Sequence, residues 1–300
     1  MKKKTYIFAL MAMVLTLGSC SNNEDGIGGE TSKYITVSTS IGNMTRVATD
    51  AKGGQTFEEG DEISVYAWTG APTVAPETSE RVVNNAINKL TNGTWVSTPQ
   101  MLWKNNREKH YFIGVYPTAA ISDLSAGEYT FDVNKQTESD LLVAVNPDGL
   151  SYSADAQQTV PLTFTHVMAK LAVNLTYKNQ GGGIPTVEKV VVGNAAKEAT
   201  INYLTKVVTP STTAKEDFSL PEITENTKYV SVIIPQEEVT QLTIVIGGKN
   251  FVYDNGTPFK LESGKITTVN LEVGRDEIKL GDVKITNWED GSTFSGEALN

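Results

Sequence analysis

The chain has 300 residues and a formal net charge of −10, from 35 acidic and 25 basic side chains. Such a surface repels nucleic acid and anionic headgroups, so neither is an expected partner. A single cysteine and two histidines leave no disulfide framework and little material for a metal centre.

The first element is a leader. MKKK precedes an apolar run from Thr5 to Leu17, and Leu17-Gly18-Ser19-Cys20 follows. A basic start, a short apolar stretch and small residues before a cleavage point make a secretory signal over residues 1–19. The run is too short for a permanent spanning helix. Leu-Gly-Ser-Cys resembles a bacterial lipobox, in which the cysteine is lipidated and becomes the new N-terminus. Cys20, the sole thiol, sits at the one position that needs it. Its acyl groups would tether the chain to the membrane, and the mature protein would rely on its core alone. Residues 20–32, with SNNEDGIGGE, read as a flexible linker.

Beyond the linker the chain alternates. Short β-branched runs recur between turn residues and helix-favouring stretches are scarce, which predicts an all-β sandwich architecture. Residues 34–41 (YITVSTSI) form a half-buried strand with Ile35, Val37, Thr39 and Ile41 on one face. Residues 42–55 read as an exposed polar loop. In FEEGDEISVYAW, from Phe57, a turn leads into a strand with Ile63, Val65 and Ala67 on one face and Tyr66 and Trp68 on the other. Residues 81–97 read as a hairpin because Asn92-Gly93 is a strong turn signal. YFIGVY from Tyr111 and DLLVAV from Asp140 suit central strands, the second stopped by Asn146-Pro147-Asp148-Gly149.

Between Val160 and Tyr177 the parity of the apolar residues flips at His166 to Met168. A continuous strand cannot do this without a bulge or bend, so the chain is expected to cross there from one sandwich to the next. The domain limits expected are 33–160 and 161–300. Further strands are predicted at 186–192, 199–203, 229–234, 241–246, 250–253 and 266–273. The tail then offers Ile278 and Leu280, a break at Gly281, Val283 and Ile285, and finally Trp288.

Several of these stretches, in this order, resemble the fimbrillin family of Bacteroides-type bacteria, the pilins of lipoprotein-derived fimbriae. They are the lipobox at Cys20, FEEGDEISVYAW, YFIGVYP, DLLVA, LTFTHVMAKLAVNL from Leu162, and ESGKITTVNLEVGRDEIKLGDVKITNWEDGS from Glu262. Acidic residues soon after Cys20 also resemble surface-export signals of Bacteroides-group lipoproteins. The resemblance implies two transthyretin-like (Greek-key) β-sandwiches in tandem. It also implies export as a lipoprotein to the outer membrane and cell surface. A trypsin-like protease then cuts after an arginine or lysine, freeing the first strand, and a neighbouring subunit's strand takes its place.

The residues fit that route. Arg46, before Val47, stands in the polar loop that follows the first strand; Lys52 is the nearby alternative. Cutting after Arg46 would detach the lipid anchor and the displaced strand with Ile35, Val37 and Ile41. The expected donor is the C-terminal stretch 266–288, with Ile278, Leu280, Val283, Ile285 and Trp288 as its apolar groups. Head-to-tail contacts of this kind do not close and so build filaments. A tail folded back on its own sheet would instead mark a tip or capping subunit. The expected partners are other fimbrial subunits (self or paralogous), a trypsin-like protease during maturation, and the outer membrane through the lipid before cleavage.

Enzyme chemistry is not expected. His110 and His166 lie in no metal-binding spacing, and His166 is expected to be a hydrogen-bonded residue near the domain junction. Glu262-Ser263-Gly264-Lys265 lacks the upstream glycine of a phosphate loop and reads as a hairpin turn. No cofactor is called for. The alternative function is a lipid-anchored surface protein that never polymerises and binds glycans or host proteins. It would need exposed aromatic platforms, for which Trp68, Trp95, Trp103 and Trp288 are the candidates and Trp95 and Trp103 the best placed, although tryptophans of this kind are more often core anchors.

Overall fold

The computed structural model describes residues 33–42, 56–153, 158–178, 182–274 and 278–288. The predicted alternation becomes strands. The first half carries β1 (Thr36–Ile41), β2 (Glu62–Thr69), β3 (Val83–Thr91), β4 (Thr94–Thr98), β5 (Lys109–Tyr116), β6 (Gly127–Thr130), β7 (Leu142–Ser151) and β8 (Thr159–His166). The second carries β9 (Ala169–Tyr177), β10 (Val187–Ala196), β11 (Glu198–Asn202), β12 (Val207–Pro210), β13 (Lys215–Ser219) and β14 (Glu222–Thr224). It ends with β15 (Lys228–Ile233), β16 (Gln236–Ile246), β17 (Lys249–Leu261), β18 (Lys265–Val273) and β19 (Ile278–Asn287). A single 3-10 turn, Thr78–Glu80, is the only helical element among the described residues.

Seven strands of the first half form one sheet in the order β1-β8-β7-β5-β2-β3-β4. Its central strands are apolar on both sides because both faces are covered. Ile63, Val65 and Ala67 of β2 point into one core with Phe112, Leu162 and Phe164. Tyr66 and Trp68 point into a second core, with Ile113, Val115 and Val143 beside them. The sheet curls until its two edges meet, and Trp95 Nε1 of β4 donates to Thr39 Oγ1 of β1 at 3.0 Å. Close packing inside this curl explains Gly114. A Cβ there would lie 2.6 Å from Phe164 Cζ. The β3–β4 hairpin forms where Asn92 (φ 51) and Gly93 (φ 72) supply the two left-handed residues of its tight turn.

Two sheets of the second half face each other, β13-β10-β16-β17 and β14-β15-β9-β18-β19. Leu171 and Val173 of β9, Val190 and Val192 of β10, Leu242 and Ile244 of β16 and Val269 and Leu271 of β18 fill the space between. A three-stranded sheet, β12-β11-β6, ties the halves together, because β6 comes from the first half and pairs with β11 of the second.

Three expectations need correction. A domain limit at 160/161 would cut β8, which pairs with β1 and β7 through His166. The chain changes sheet between His166 and Ala169, where Val167 and Met168 are both buried. Asn146 to Gly149 does not stop its strand. β7 continues to Ser151, and the turn residues make an irregularity inside it, with Asn146 Oδ1 accepting the Gly149 N–H at 2.9 Å. Gly281 does not break the tail either. β19 passes it with a bulge, since Val283 pairs with Val269 and Leu280 with Leu271.

Candidate assembly site at the terminal strands

β1 lies at the edge of the seven-stranded sheet. Within that sheet it is bonded only to β8, in parallel, from Thr36 opposite Thr159 to Ile41 opposite Phe164. Period-two alternation sends Ile35 (2 % exposed) and Val37 (6 %) inward, with Ile41 half-buried, while Ser38 and Ser40 face solvent. The inward groups rest on Met101, Trp103, Val160, Leu162 and Phe164. Both ends are pinned by backbone. The Ile35 N–H donates to Met101 O at 2.9 Å, the Trp103 N–H to Lys33 O at 3.1 Å, and the Gly42 N–H to Phe164 O at 2.7 Å. On the outer side hydroxyls pair across the two strands, Thr36 with Thr159 at 3.2 Å and Ser40 with Thr163 at 3.1 Å.

The walls of this groove come from other segments of the chain and pack on one another. Phe57, where the chain returns from residues 43–55, packs edge-on against Trp95, Tyr116 and Phe164 at centroid distances of 5.3, 5.3 and 5.1 Å. Burial and the nearby Asp61 carboxylate push the Tyr116 hydroxyl up to about 12. Trp103 stands edge-on to His110 at 5.0 Å and to Phe112 at 5.7 Å. His110 is buried, which lowers its pKa, and its Nε2 accepts the Lys104 N–H at 3.1 Å. Burying an aliphatic side chain contributes about 1.5–3 kcal/mol. Ile35 and Val37 together therefore contribute a large share of what holds β1 in this groove beside β8.

β19 occupies the opposite terminus of the chain. It is bonded to β18 alone and forms the edge of the five-stranded sheet. Gly281 to Asn287 are all exposed, including Val283 at 37 % and Ile285 at 39 %. Trp288 reverses the pattern at 3 %. Its ring stacks on His166 at 4.0 Å and 6°, and the Lys170 ammonium lies 4.1 Å from its centroid. The Trp288 N–H donates to Gly264 O at 3.0 Å. Beneath it, His166 Nδ1 bonds Asp140 Oδ1 at 2.8 Å.

The described members of the predicted set lie in or beside the two terminal strands, Ile35 just before β1 and Trp288 just after β19. Ile35, Val37 and Ile41 lie in one groove, and Val283, Ile285 and Trp288 follow one another along the other edge. Ile278 and Leu280 belong to β19 by backbone pairing. Cys20, Arg46, Val47 and Lys52 lie outside the described residues. His166 is hydrogen-bonded where the chain changes sheet, as its position suggested. The tryptophans are core anchors and not platforms. Trp103 is buried under the start of β1, Trp68 and Trp288 are buried as well, and Trp95 is half-buried against Phe57.

The roles of three residues escaped sequence reasoning. Met101 and Trp103 form the groove floor, and the alternation of MLW after Pro99 was the available signal. Lys170 interrupts the apolar run AKLAVNL and is buried with Trp288 above it; a cation inside such a run marks an aromatic or charged partner. Among the described residues no three His, Cys, Asp or Glu side chains gather so as to hold a metal ion.

The first and last described strands, β1 and β19, both lie at sheet edges. The sequence model of the fimbrillin-like family matches residues 45–288, and the chain belongs to that family. A putative cell adhesion protein from Bacteroides uniformis superposes with a TM-score of 0.64 at 19% identity, covering 85% of this chain and 99% of that one. Another, from Bacteroides ovatus, gives 0.62 at 17% identity, covering 85% and 98%. A third, from Parabacteroides distasonis, gives 0.51 at 11% identity, covering 86% and 98%. At these identities the three show a shared fold. No curated protein sequence matches the chain. Family membership supports the role of a fimbrial subunit at the cell surface.

Proposed function

We propose that the protein is a stalk or tip pilin of a surface fimbria that reaches the outer membrane as a lipoprotein on Cys20. It is cut after Arg46 by a trypsin-like protease and is joined to other subunits by strand exchange, in support of adhesion. Its two halves act as tandem transthyretin-like sandwiches, the first accepting a strand and the second carrying the donor candidate. The observation that carries this reading is β1 itself. A terminal strand, bonded at a sheet edge and followed by an arginine-bearing polar segment, fills an apolar groove whose walls belong to the rest of the chain. The lipid-anchored binder that never polymerises loses its predicted platforms, because three of the tryptophans are buried.

Limited trypsin treatment of the purified protein tests the proposal. The expected product is one discrete body beginning at Val47, which forms head-to-tail oligomers by size exclusion. A body that keeps residues 33–46 bound after the cut, and stays monomeric with added fimbrial partners, would overturn it. A cut body that polymerises alone is a stalk pilin; one that only terminates the fibres of others is a tip.

A further inference from the structure

Before Trp288, the described residues of β19 hold to their subunit through the backbone ladder with β18 and a side-chain hydrogen bond from Asn270 Nδ2 to Asp282 Oδ1 at 2.6 Å. The seven residues from Gly281 to Asn287 face solvent, the strand has β18 on one side only, and the bulge at Gly281 interrupts that single ladder. The strand's grip changes at one residue. Trp288 is buried on the His166 imidazole and the Lys170 ammonium, and its N–H is fixed to the Ser263-Gly264 turn. That turn is itself tied to the crossing between the halves. Ser263 Oγ donates to Val167 O at 2.9 Å, and the Gly264 N–H donates to Met168 O at 2.8 Å. Indole stacked on imidazole and approached by a buried ammonium is an attractive arrangement in a site shielded from water.

We propose that Trp288 is a latch that holds β19 on its own subunit, so that the C-terminal strand becomes free when the indole leaves His166 and Lys170. The latch seats where the chain changes sheet, on His166 of β8 in the seven-stranded sheet and on Lys170 of β9, two strands in from β19 in the sheet that β19 extends. The consequence for assembly rests on the pilin reading above; the latch itself does not.

Amide hydrogen exchange in the uncut, full-length protein tests it. Trp288→Ala should speed exchange of the amides that β19 shares with β18 at least tenfold while leaving β16 and β17 unchanged. Trp288→Phe, which keeps an aromatic ring over His166, should restore most of the protection. Equal exchange in wild type and Trp288→Ala would overturn the proposal. So would faster exchange spread evenly over both halves, which would make Trp288 an ordinary core residue. Because the readout needs no polymerisation, a failed latch and a failed pilin reading give different results.

Discussion

His110 shows how the groove constrains a single side chain. Its Nε2 must accept the Lys104 N–H while the ring lies edge-on to Trp103, and burial holds its pKa below the ordinary value of 6.5. A protonated ring would present a hydrogen where an acceptor is needed. The unfolded chain therefore takes up a proton before the folded one does as pH falls. The stabilisation is complete above 6.5 and is lost as pH drops through the lowered folded value. Urea midpoints at pH 7 and 5.5 should fall more steeply in wild type than in His110→Gln, which can accept the same N–H without taking up a proton. Parallel slopes for the two proteins would contradict this account. Gly114 meets the same crowding from the other side, since any side chain there collides with Phe164.

Each terminal strand relies on a few buried groups set among many exposed ones. For β1 this is measurable in the uncut chain. Ile35→Ala should lower stability by about 2–5 kcal/mol, while Ser38→Ala on the outer face should change it by less than about 0.5 kcal/mol. Similar costs for the two in chemical denaturation would mean that β1 does not fill its groove. Local patterns made such strands readable. Asn92-Gly93 fixed a hairpin, and the parity change near His166 marked the change of sheet. Features that depend on distant partners were not readable. Asn-Pro-Asp-Gly ends a strand by local rules, yet β7 absorbs it because β5 bonds the chain on both sides of the irregularity. Trp103 looked exposed beside polar residues until β1 covered it. The pairing of β1 with β8, and of β6 with β11, joins segments too far apart in sequence for any short-range signal.

At the scale of the molecule the halves share structure. β6 completes a sheet of the second half. Gln136 accepts the Val232 N–H at 2.6 Å and donates to Ser231 Oγ at 3.0 Å. One apolar core runs from Tyr66 and Trp68 to Val269 and Leu271. Unfolding should therefore be a single transition. Tryptophan fluorescence of Trp288→Phe, whose remaining Trp68, Trp95 and Trp103 are all in the first half, should share a denaturation midpoint with pulsed hydrogen exchange of β9 and β15 in the same variant. Separate midpoints would show that the halves fold independently. The β6–β11 ladder also has a mechanical consequence. The first terminal strand sits on one half and the last on the other, so tension along a fibre would have to cross the waist between them. The chain crosses there once through Val167 and Met168, and the antiparallel rungs of β6 and β11 join the halves a second time, so the strain is divided between a covalent tether and a zipper. Under flow the fibre should part at its joints before a subunit stretches.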